Sequence, residues 1–490
     1  MGQTVTEQHF SQQDHHRFER QLTEDLDCLA QLLTDPDWGR GERTLGAELE
    51  LYLLDQEQGP WMANQQLLKA AADPHLTPEL NRFNLEYNCP YTQCQGSPFS
   101  QLGGQMTRQL SQLQHLASEM GGQVTAIGIL PTLKSAHFGL SSMTDEPRYH
   151  QLTRALKQRR DGPFQICING PDRLMMSADD LTLEGANTSF QLHLRVDPAE
   201  FADWFNAIQL ATPFVMALSG NAPLFLGRRL WQETRIALFK QSIDCRNLCD
   251  TPWDPPARVS FGKGYVRHSA IELFRQGTSL FPVILPDWHR VEDKPGEGPA
   301  LHALRLHQGT IWSWNRPVYD PAGGGHLRIE MRTLPAGPTI DDMMANAALL
   351  LGLAQSFRAQ IDSLIDRLPF DFAEYNFYRA AQSGLEAKLL WPGQRLLLQE
   401  QPVVPLLEAM LPQAQTGLEQ LGIDSDEAAR LMTLLAERLA RGQTGAQWQL
   451  RALAKLEQQH DHDTALRRMV QHYCELSRSG QPVAQWELPA

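Results

Sequence analysis

Gly46-Ala47-Glu48-Leu49-Glu50 is the stretch on which the reading of the fold turns. In a β-strand residues i and i+2 project from one face, so Glu48 and Glu50 pair their carboxylates on one side while Ala47 and Leu49 pack on the other. Three further stretches repeat the pattern: Asn84-Leu85-Glu86-Tyr87-Asn88, Gln191-Leu192-His193 and Arg328-Ile329-Glu330-Met331-Arg332. A charged outer face that deters edge aggregation would account for Glu48 and Glu50 alone. Recurrence argues against it, because glutamate is a poor strand former and neighbouring like charges repel. Carboxylates side by side on a sheet want a cation. Glu48, Glu50, Glu86 and Glu330, with an imidazole or amide nearby, form an oxygen-rich set for Mg²⁺ or Mn²⁺, and Arg328 and Arg332 beside them point to a phosphate-bearing ligand.

Read outward from these rows, the chain is α+β. Residues 13 to 34 carry Phe18, Leu22, Leu26, Leu29, Leu32 and Leu33 at helical spacing, and Asp35-Pro36-Asp37 breaks the run. Residues 100 to 119 have the same spacing. Val124 to Leu130 reads as a buried strand stopped by Pro131, and Ser189 to Val196 as a strand leading through Asp197-Pro198 into a helix from about 199 to 218. The Pro-, Gly- and Trp-rich section from Asp250 to Pro299 has the character of a binding loop or lid. A hairpin is expected between Trp312 and Leu334, turning at Asp320-Pro321-Ala322-Gly323-Gly324-Gly325, with Trp312 and Trp314 packed beside it or stacked on a base. Beyond about residue 340 the pattern is helical almost throughout, without a polar-alternating strand. This divides the chain into a catalytic domain over 1–395 and a helical C-terminal region over 396–490.

Core volume does not limit a chain of 490 residues. With 42% hydrophobic and 20% charged residues it is globular, not extensively disordered. Acidic residues outnumber basic ones 57 to 43, and no basic run interleaves with aromatics, which argues against nucleic acid as a partner. Seven cysteines, odd and sparse, fit a reducing cytoplasm, the expected location. Cys245 and Cys249 lack a second Cys/His pair at zinc spacing and read as structural thiols. The start, Met1-Gly2-Gln3-Thr4-Val5-Thr6, fits the loose myristoylation pattern but has no polybasic second signal. The most apolar window, Phe205 to Phe225, contains Asn206, Gln209, Pro213, Ser219, Asn221 and Pro223 and falls short of a bilayer span, so no membrane partner is expected. The oligomeric state has no signature in the sequence.

Taken in order, Gly46-Ala47-Glu48-Leu49-Glu50, Asn84-Leu85-Glu86, Ser219-Gly220-Asn221-Ala222-Pro223, Trp314-Asn315-Arg316-Pro317 and Arg328-Ile329-Glu330-Met331-Arg332-Thr333-Leu334 resemble the glutamate-cysteine ligase family. The likeness spans roughly residues 40 to 350. Gly442-Gln443-Thr444-Gly445-Ala446-Gln447-Trp448-Gln449 is similar to that family's C-terminal region. The resemblance implies a glutamine-synthetase-like fold with a curved, largely antiparallel sheet. It further implies divalent cations on Glu48, Glu50, Glu86 and Glu330, a strand ligand from Gln191 or His193, and an upstream acid near Glu79. The implied reaction is ATP-dependent joining of L-glutamate to an amine, with L-cysteine the default acceptor. A different amine or carboxylate, or phosphotransfer of the guanidino-kinase type, is the alternative.

Such ligases phosphorylate the carboxylate and let the amine attack the acyl phosphate, so no covalent nucleophile is needed. Within this scheme Arg332 is the candidate for stabilising charge on the transferring phosphoryl group, and Arg235 in Glu233-Thr234-Arg235 for gripping a substrate carboxylate through its planar fork. Arg316 and Arg328 are further substrate-binding candidates, although Arg316 could equally tie down a loop. No P-loop is present, and Phe261-Gly262-Lys263-Gly264-Tyr265 supplies Lys263 as a candidate nucleotide contact alongside Arg332.

Overall fold

The computed structural model describes residues 10–160, 162–246, 255–289, 292–393 and 397–489. Met1 to Thr6 and Cys249 lie outside these residues, as does the expected domain boundary at 395. Four polar-alternating stretches fall on strands of one sheet. Its strands are β1 (Thr44–Leu54), β2 (Leu76–Pro78), β3 (Asn84–Gln93), β4 (Gln123–Thr125), β5 (Phe190–Val196), β6 (Asn315–Asp320) and β7 (His326–Met331). They run antiparallel in the order β6-β7-β5-β1-β3-β2, with β4 pairing the end of β1. The fold is mixed helix and strand, with the sheet curled into an antiparallel half-barrel.

Register makes the rows meet. Glu48 lies opposite Gln191 on β5 and Asn88 on β3, Glu50 lies opposite Glu86, and His193 lies opposite Gly46 on one side and Glu330 on the other. Residues directly opposite share a face, so the polar side chains of β1, β3, β5 and β7 form a continuous band. The alternate residues Leu49, Leu51, Leu85, Leu192, Leu194, Ile329 and Met331 are fully buried on the other face. Burying one such side chain contributes about 1.5–3 kcal/mol.

That apolar face is covered in layers. Helix Pro98–Glu119 lies on β3 and β4 and packs against helix Ile340–Arg358, which in turn packs on Phe201–Ser219. The last two helices are apolar around most of their circumference and almost wholly buried, as interior helices are. The C-terminal helices Val403–Gln420, Ser425–Arg441, Gly445–Leu456 and His462–Ser479 continue this packing. Val403–Gln420 approaches Ile340–Arg358 so closely that a Cβ on Gly352 would sit 2.3 Å from the Ala414 carbonyl oxygen. Arg438 crosses into the same layer, donating to Asp342 Oδ1 at 2.8 Å and Asn346 Oδ1 at 2.6 Å.

Two sequence expectations need correcting. Val124 to Leu130 is not one strand: only Gln123–Thr125 pairs in the sheet. The carbonyls beyond it are engaged elsewhere, Ala126 by the Tyr473 hydroxyl and Gly128 by the Thr188 amide. The C-terminal part also contains strand structure, a two-stranded hairpin pairing Lys388–Pro392 with Leu398–Pro402. The hairpin turning between Asp320 and His326 is present, as are helices Gln12–Leu32 and Phe201–Ser219. Among the described residues no helix is long and apolar enough to cross a membrane.

Candidate active site

The polar band floors a cleft of about 410 Å³. Glu48, Glu50, Glu86, Gln191 and Arg332 line it from the sheet, and Arg316 enters from β6. Glu79 and Leu80, Glu146 to Tyr149, Leu181, Glu184 and Trp312 close it from the loops and from the start of helix Pro147–Arg159.

The half of the band built on β1, β5 and β7 is charge-balanced. Glu330, buried at 1% exposure, accepts from Arg316 Nε at 2.6 Å and from Arg332 Nη1. Both partners follow from the strands: Arg316 is directly across the hairpin and Arg332 is two residues on. Gln191 ties the halves together, accepting from Arg332 and donating to Glu50 Oε1 at 2.8 Å. His193 faces Glu48, with Nε2 3.1 Å from Glu48 Oε1, and its Nδ1 has no hydrogen-bond partner among the described residues. A buried ring nitrogen left without such a bond is costly, and an imidazole set against a carboxylate suits a ligand placed to meet a cation. Glu48, His193 and Glu330 each offer a donor atom within 4.8 Å of the others.

The half built on β1, β2 and β3 is different. Glu50, Glu79 and Glu86 form a second set with donor atoms within 4.8 Å of one another, and Glu184 stands near them. Polar hydrogen bonds hold them in place: the Ser189 amide donates to Glu50 Oε2 at 2.6 Å, and Asn88 Nδ2 to Glu86 Oε1 at 2.8 Å. Burial and mutual repulsion dominate their ionisation. Burial, with Glu48 beside it, pushes the Glu86 carboxyl up to about 7. Burial and the charge of Glu50 push Glu184 up to about 8, and Glu79 is raised well above the usual carboxylate range by burial and Glu86. Glu330 moves the opposite way. Burial opposes its ionisation, but Arg316 and Arg332 outweigh it and hold the carboxyl far below its ordinary value. The crowded carboxyls of Glu50, Glu79 and Glu86, which make no ion pair among the described residues, stand beside a buried imidazole and fit divalent-cation sites.

Not every residue singled out in the sequence reaches the cleft. Glu48, Glu50, Glu86, Gln191, Arg316 and Arg332 line it, and His193 and Glu330 sit in the band beneath. Between the two strand candidates, His193 joins the three-residue donor set while Gln191 is engaged by Arg332 and Glu50. Arg235 lies behind the sheet chemistry, buried at 2% exposure, donating to Glu233 Oε1 and the Thr333 carbonyl, both at 3.2 Å. Arg328 points along the band to its far end and pairs with Asp320 at 3.1 Å. Lys263 is exposed and lines a separate small pocket on the other side of Arg316. Trp314 is core, packed on Phe239 and Phe377, whereas Trp312 faces the cleft.

Sequence reasoning missed Glu184, Arg148 and Tyr149. Glu184 sits in the short turn Glu184–Ala186, and Arg148 and Tyr149 open a helix. None belongs to a strand with a two-residue period, so the signal that found the others is absent there.

An antiparallel half-barrel with paired carboxylate sets and an arginine clamp on its inner face defines an ATP-dependent carboxylate–amine ligase of glutamine-synthetase-like fold. The chain matches the family described as glutamate-cysteine ligase family 2 over residues 44–472 and belongs to that family. Its fold is similar to that of a glutamate–cysteine ligase from Francisella tularensis solved in complex with AMP, with a TM-score of 0.52 at 11% identity, covering 93% of this chain and 91% of the other. A bifunctional glutathione synthetase from Pasteurella multocida aligns with a TM-score of 0.49 at 12% identity, over 95% of this chain and 55% of its own. No match emerges among curated protein sequences.

Proposed function

We propose that the chain joins the γ-carboxylate of L-glutamate to the amine of L-cysteine, consuming ATP and passing through γ-glutamyl phosphate. The observation that carries this reading is the pair of neighbouring donor sets, Glu50/Glu79/Glu86 lining the cleft and Glu48/His193/Glu330 reaching from Glu48 on its floor into the band beneath, with Arg332 beside both. Two sets suit a reaction in which a polyanion must be brought against a carboxylate. Mg²⁺ or Mn²⁺ held by those sets would neutralise the triphosphate and align the donor and acceptor oxygens.

The chain's own residues do the remaining work. Arg332 places a fixed positive charge where the transferring phosphoryl group gains charge, and Glu330 and Gln191 hold its guanidinium in position. Arg316 and Arg148 are the other guanidinium groups lining the cleft and serve the substrate carboxylates. Trp312, Tyr149, Leu152 and Ile243 supply an apolar wall that excludes water from an acyl phosphate. Gripping substrate with Arg235 would require its guanidinium to leave the Glu233 pair.

The test is an isotope experiment. With ATP, Mg²⁺, L-cysteine and L-glutamate carrying oxygen-18 in its γ-carboxylate, label should appear in the released phosphate together with γ-glutamylcysteine. Amide formed with all label outside the phosphate excludes carboxylate phosphorylation. Labelled phosphate with other amines but never with cysteine replaces the acceptor and keeps the reaction class.

A further inference from the structure

Two sequence motifs far apart in the chain meet behind the cleft, and neither contributes a residue to it. One is Ser219-Gly220-Asn221-Ala222-Pro223, at the end of the buried helix Phe201–Ser219. The other is Thr444-Gly445-Ala446-Gln447-Trp448-Gln449, opening a C-terminal helix. The Ala446 amide donates to the Gly220 carbonyl at 2.8 Å, and Gln449 Nε2 donates to Asn221 Oδ1 at 2.9 Å and to the Asn221 carbonyl at 3.1 Å. Asn221 Nδ2 then donates to the Tyr473 hydroxyl and the Ala336 carbonyl, each at 2.8 Å, while Tyr473 itself donates to the Ala126 carbonyl at 2.9 Å. The Asn221 amide nitrogen donates to Glu233 Oε2 at 2.9 Å, and the other oxygen of Glu233 accepts from Arg235.

The network ends on one short piece of backbone. Asn221 holds the carbonyl of Ala336 and Arg235 that of Thr333, so the four residues following Arg332 are gripped at both ends by buried side chains. The Leu334 carbonyl accepts from the Phe190 amide of β5, which fixes the same segment to the sheet. Every side chain in the chain of contacts is buried: Asn221, Glu233, Tyr473 and Gln449 at 0% exposure and Arg235 at 2%. Buried side chains tied by several hydrogen bonds each rearrange only by breaking them, so the network restrains the backbone it holds.

We infer that the C-terminal helices position the catalytic arginine: Gln449 and Tyr473, acting through Asn221, Glu233 and Arg235, set the backbone that carries Arg332 into the cleft. These are positioning residues; none lines the cleft. Gly445 is the most sensitive point, because a Cβ there would sit 2.1 Å from Asn221 Oδ1 and displace the amide from both partners. The inference rests on the ligase reading only for the role of Arg332, and its test separates the two.

Gly445→Ala and Tyr473→Phe are to be measured in the full chain by peptide-resolved hydrogen exchange and by steady-state ADP formation. In Gly445→Ala, exchange across 332–337 should rise about tenfold while β1 keeps its protection. kcat should fall about tenfold with KM for ATP held within about twofold, the signature of an interaction realised in the transition state. Tyr473→Phe should move both readouts in the same direction by less. In an Arg332→Lys background Gly445→Ala should lower kcat much less than it does alone, because the two losses share one route. Unchanged exchange across 332–337 in both variants overturns the inference, as does a uniform rise over β1 and 332–337, which would mark general destabilisation. Altered exchange across 332–337 in a protein whose wild type forms no amide would sink the ligase reading and leave the positioning network standing.

Discussion

Glu330 and Glu86 are both buried on one face of one sheet, and their carboxyls respond in opposite directions, one held far below its ordinary range and the other pushed up to about 7. The difference lies in their neighbours. Glu330 is clasped by Arg316 and Arg332, whereas Glu86 faces Glu48 and Glu50 and accepts, among the described residues, from the neutral donors Asn88 and Thr77. One half of the band carries its own counter-charges, and the other gathers carboxyls that repel one another. The lesson is that burial alone does not set a carboxylate's role; the sign of the charge beside it does.

The largest combined loss of activity and stability should come from breaking the balanced half. Arg332→Lys keeps the charge but loses the planar guanidinium whose Nη1 meets Glu330 and Gln191 together, and kcat should drop about 10²–10³-fold in steady-state assays with the protein still folded. Glu330→Gln should reduce activity at least as far and also destabilise the fold by about 3 kcal/mol in urea titration, because two guanidinium groups lose their shared partner. An increase in stability would show that the pairing is not what holds this half together.

Glu86→Gln sharpens the contrast. It should abolish Mg²⁺-dependent turnover, yet raise the stability of the metal-free protein by about 1 kcal/mol at pH 8, since it removes a repelling charge. A loss of stability at that pH would mean that the carboxylates are not in mutual conflict. The same conflict sets a pH dependence. Glu86 and Glu184 bind protons more tightly folded than unfolded, with folded values of about 7 and about 8, against about 4.3 for a free glutamate. Their contribution is therefore fully present below about pH 4 and is lost as pH rises through 7 to 8. Metal-free protein should melt lower at pH 8.5 than at pH 6, Mg²⁺ should narrow the gap, and calorimetry in buffers of different ionisation enthalpy should detect protons released on Mg²⁺ binding. The smallest effect belongs to Cys89→Ser: burial pushes this thiol up to about 12, its Sγ rests 3.0 Å from Gln105 Oε1, and kcat should stay within about twofold. Complete loss of activity in a folded Cys89→Ser protein would replace the acyl-phosphate route by a thioester.

The legible part of the site owed its visibility to periodicity. Glu48, Glu50, Glu86, Gln191, His193, Glu330 and Arg332 stand on strands or directly after one, where spacing of two declares a shared face, and the sheet places them in one band. Arg328 satisfied the same rule but lies farther along its strand, beside Asp320, because periodicity gives the face and not the distance along it. Glu184 and Arg148 reach the cleft from a turn and a helix start, where side-chain direction depends on tertiary placement. Arg235 had the right chemistry for a substrate grip, but it is buried outside the cleft lining, where its Nη1 donates to Glu233, two residues before it, and to the Thr333 carbonyl. The contacts of Asn221 with Gln449 and Tyr473 span more than two hundred residues of sequence, a separation no local pattern encodes.

The interruption in pairing between Leu45 and Ala47 gives β1 an unequal tolerance along its length. Downstream of it the strand is paired on both sides, and function there depends on parity: inserting one residue between Glu48 and Glu50 would turn one glutamate into the leucine layer and bring a leucine into the cleft. At the irregularity the ladder with β3 already accommodates an offset, so an added residue there disturbs the pairing with β5 alone while Glu48 and Glu50 keep their face. Insertions in this family should therefore gather at the entrance to β1 and avoid the few residues after it. Glu48 and Glu50 are shielded from frame slippage by a fault placed just upstream of them.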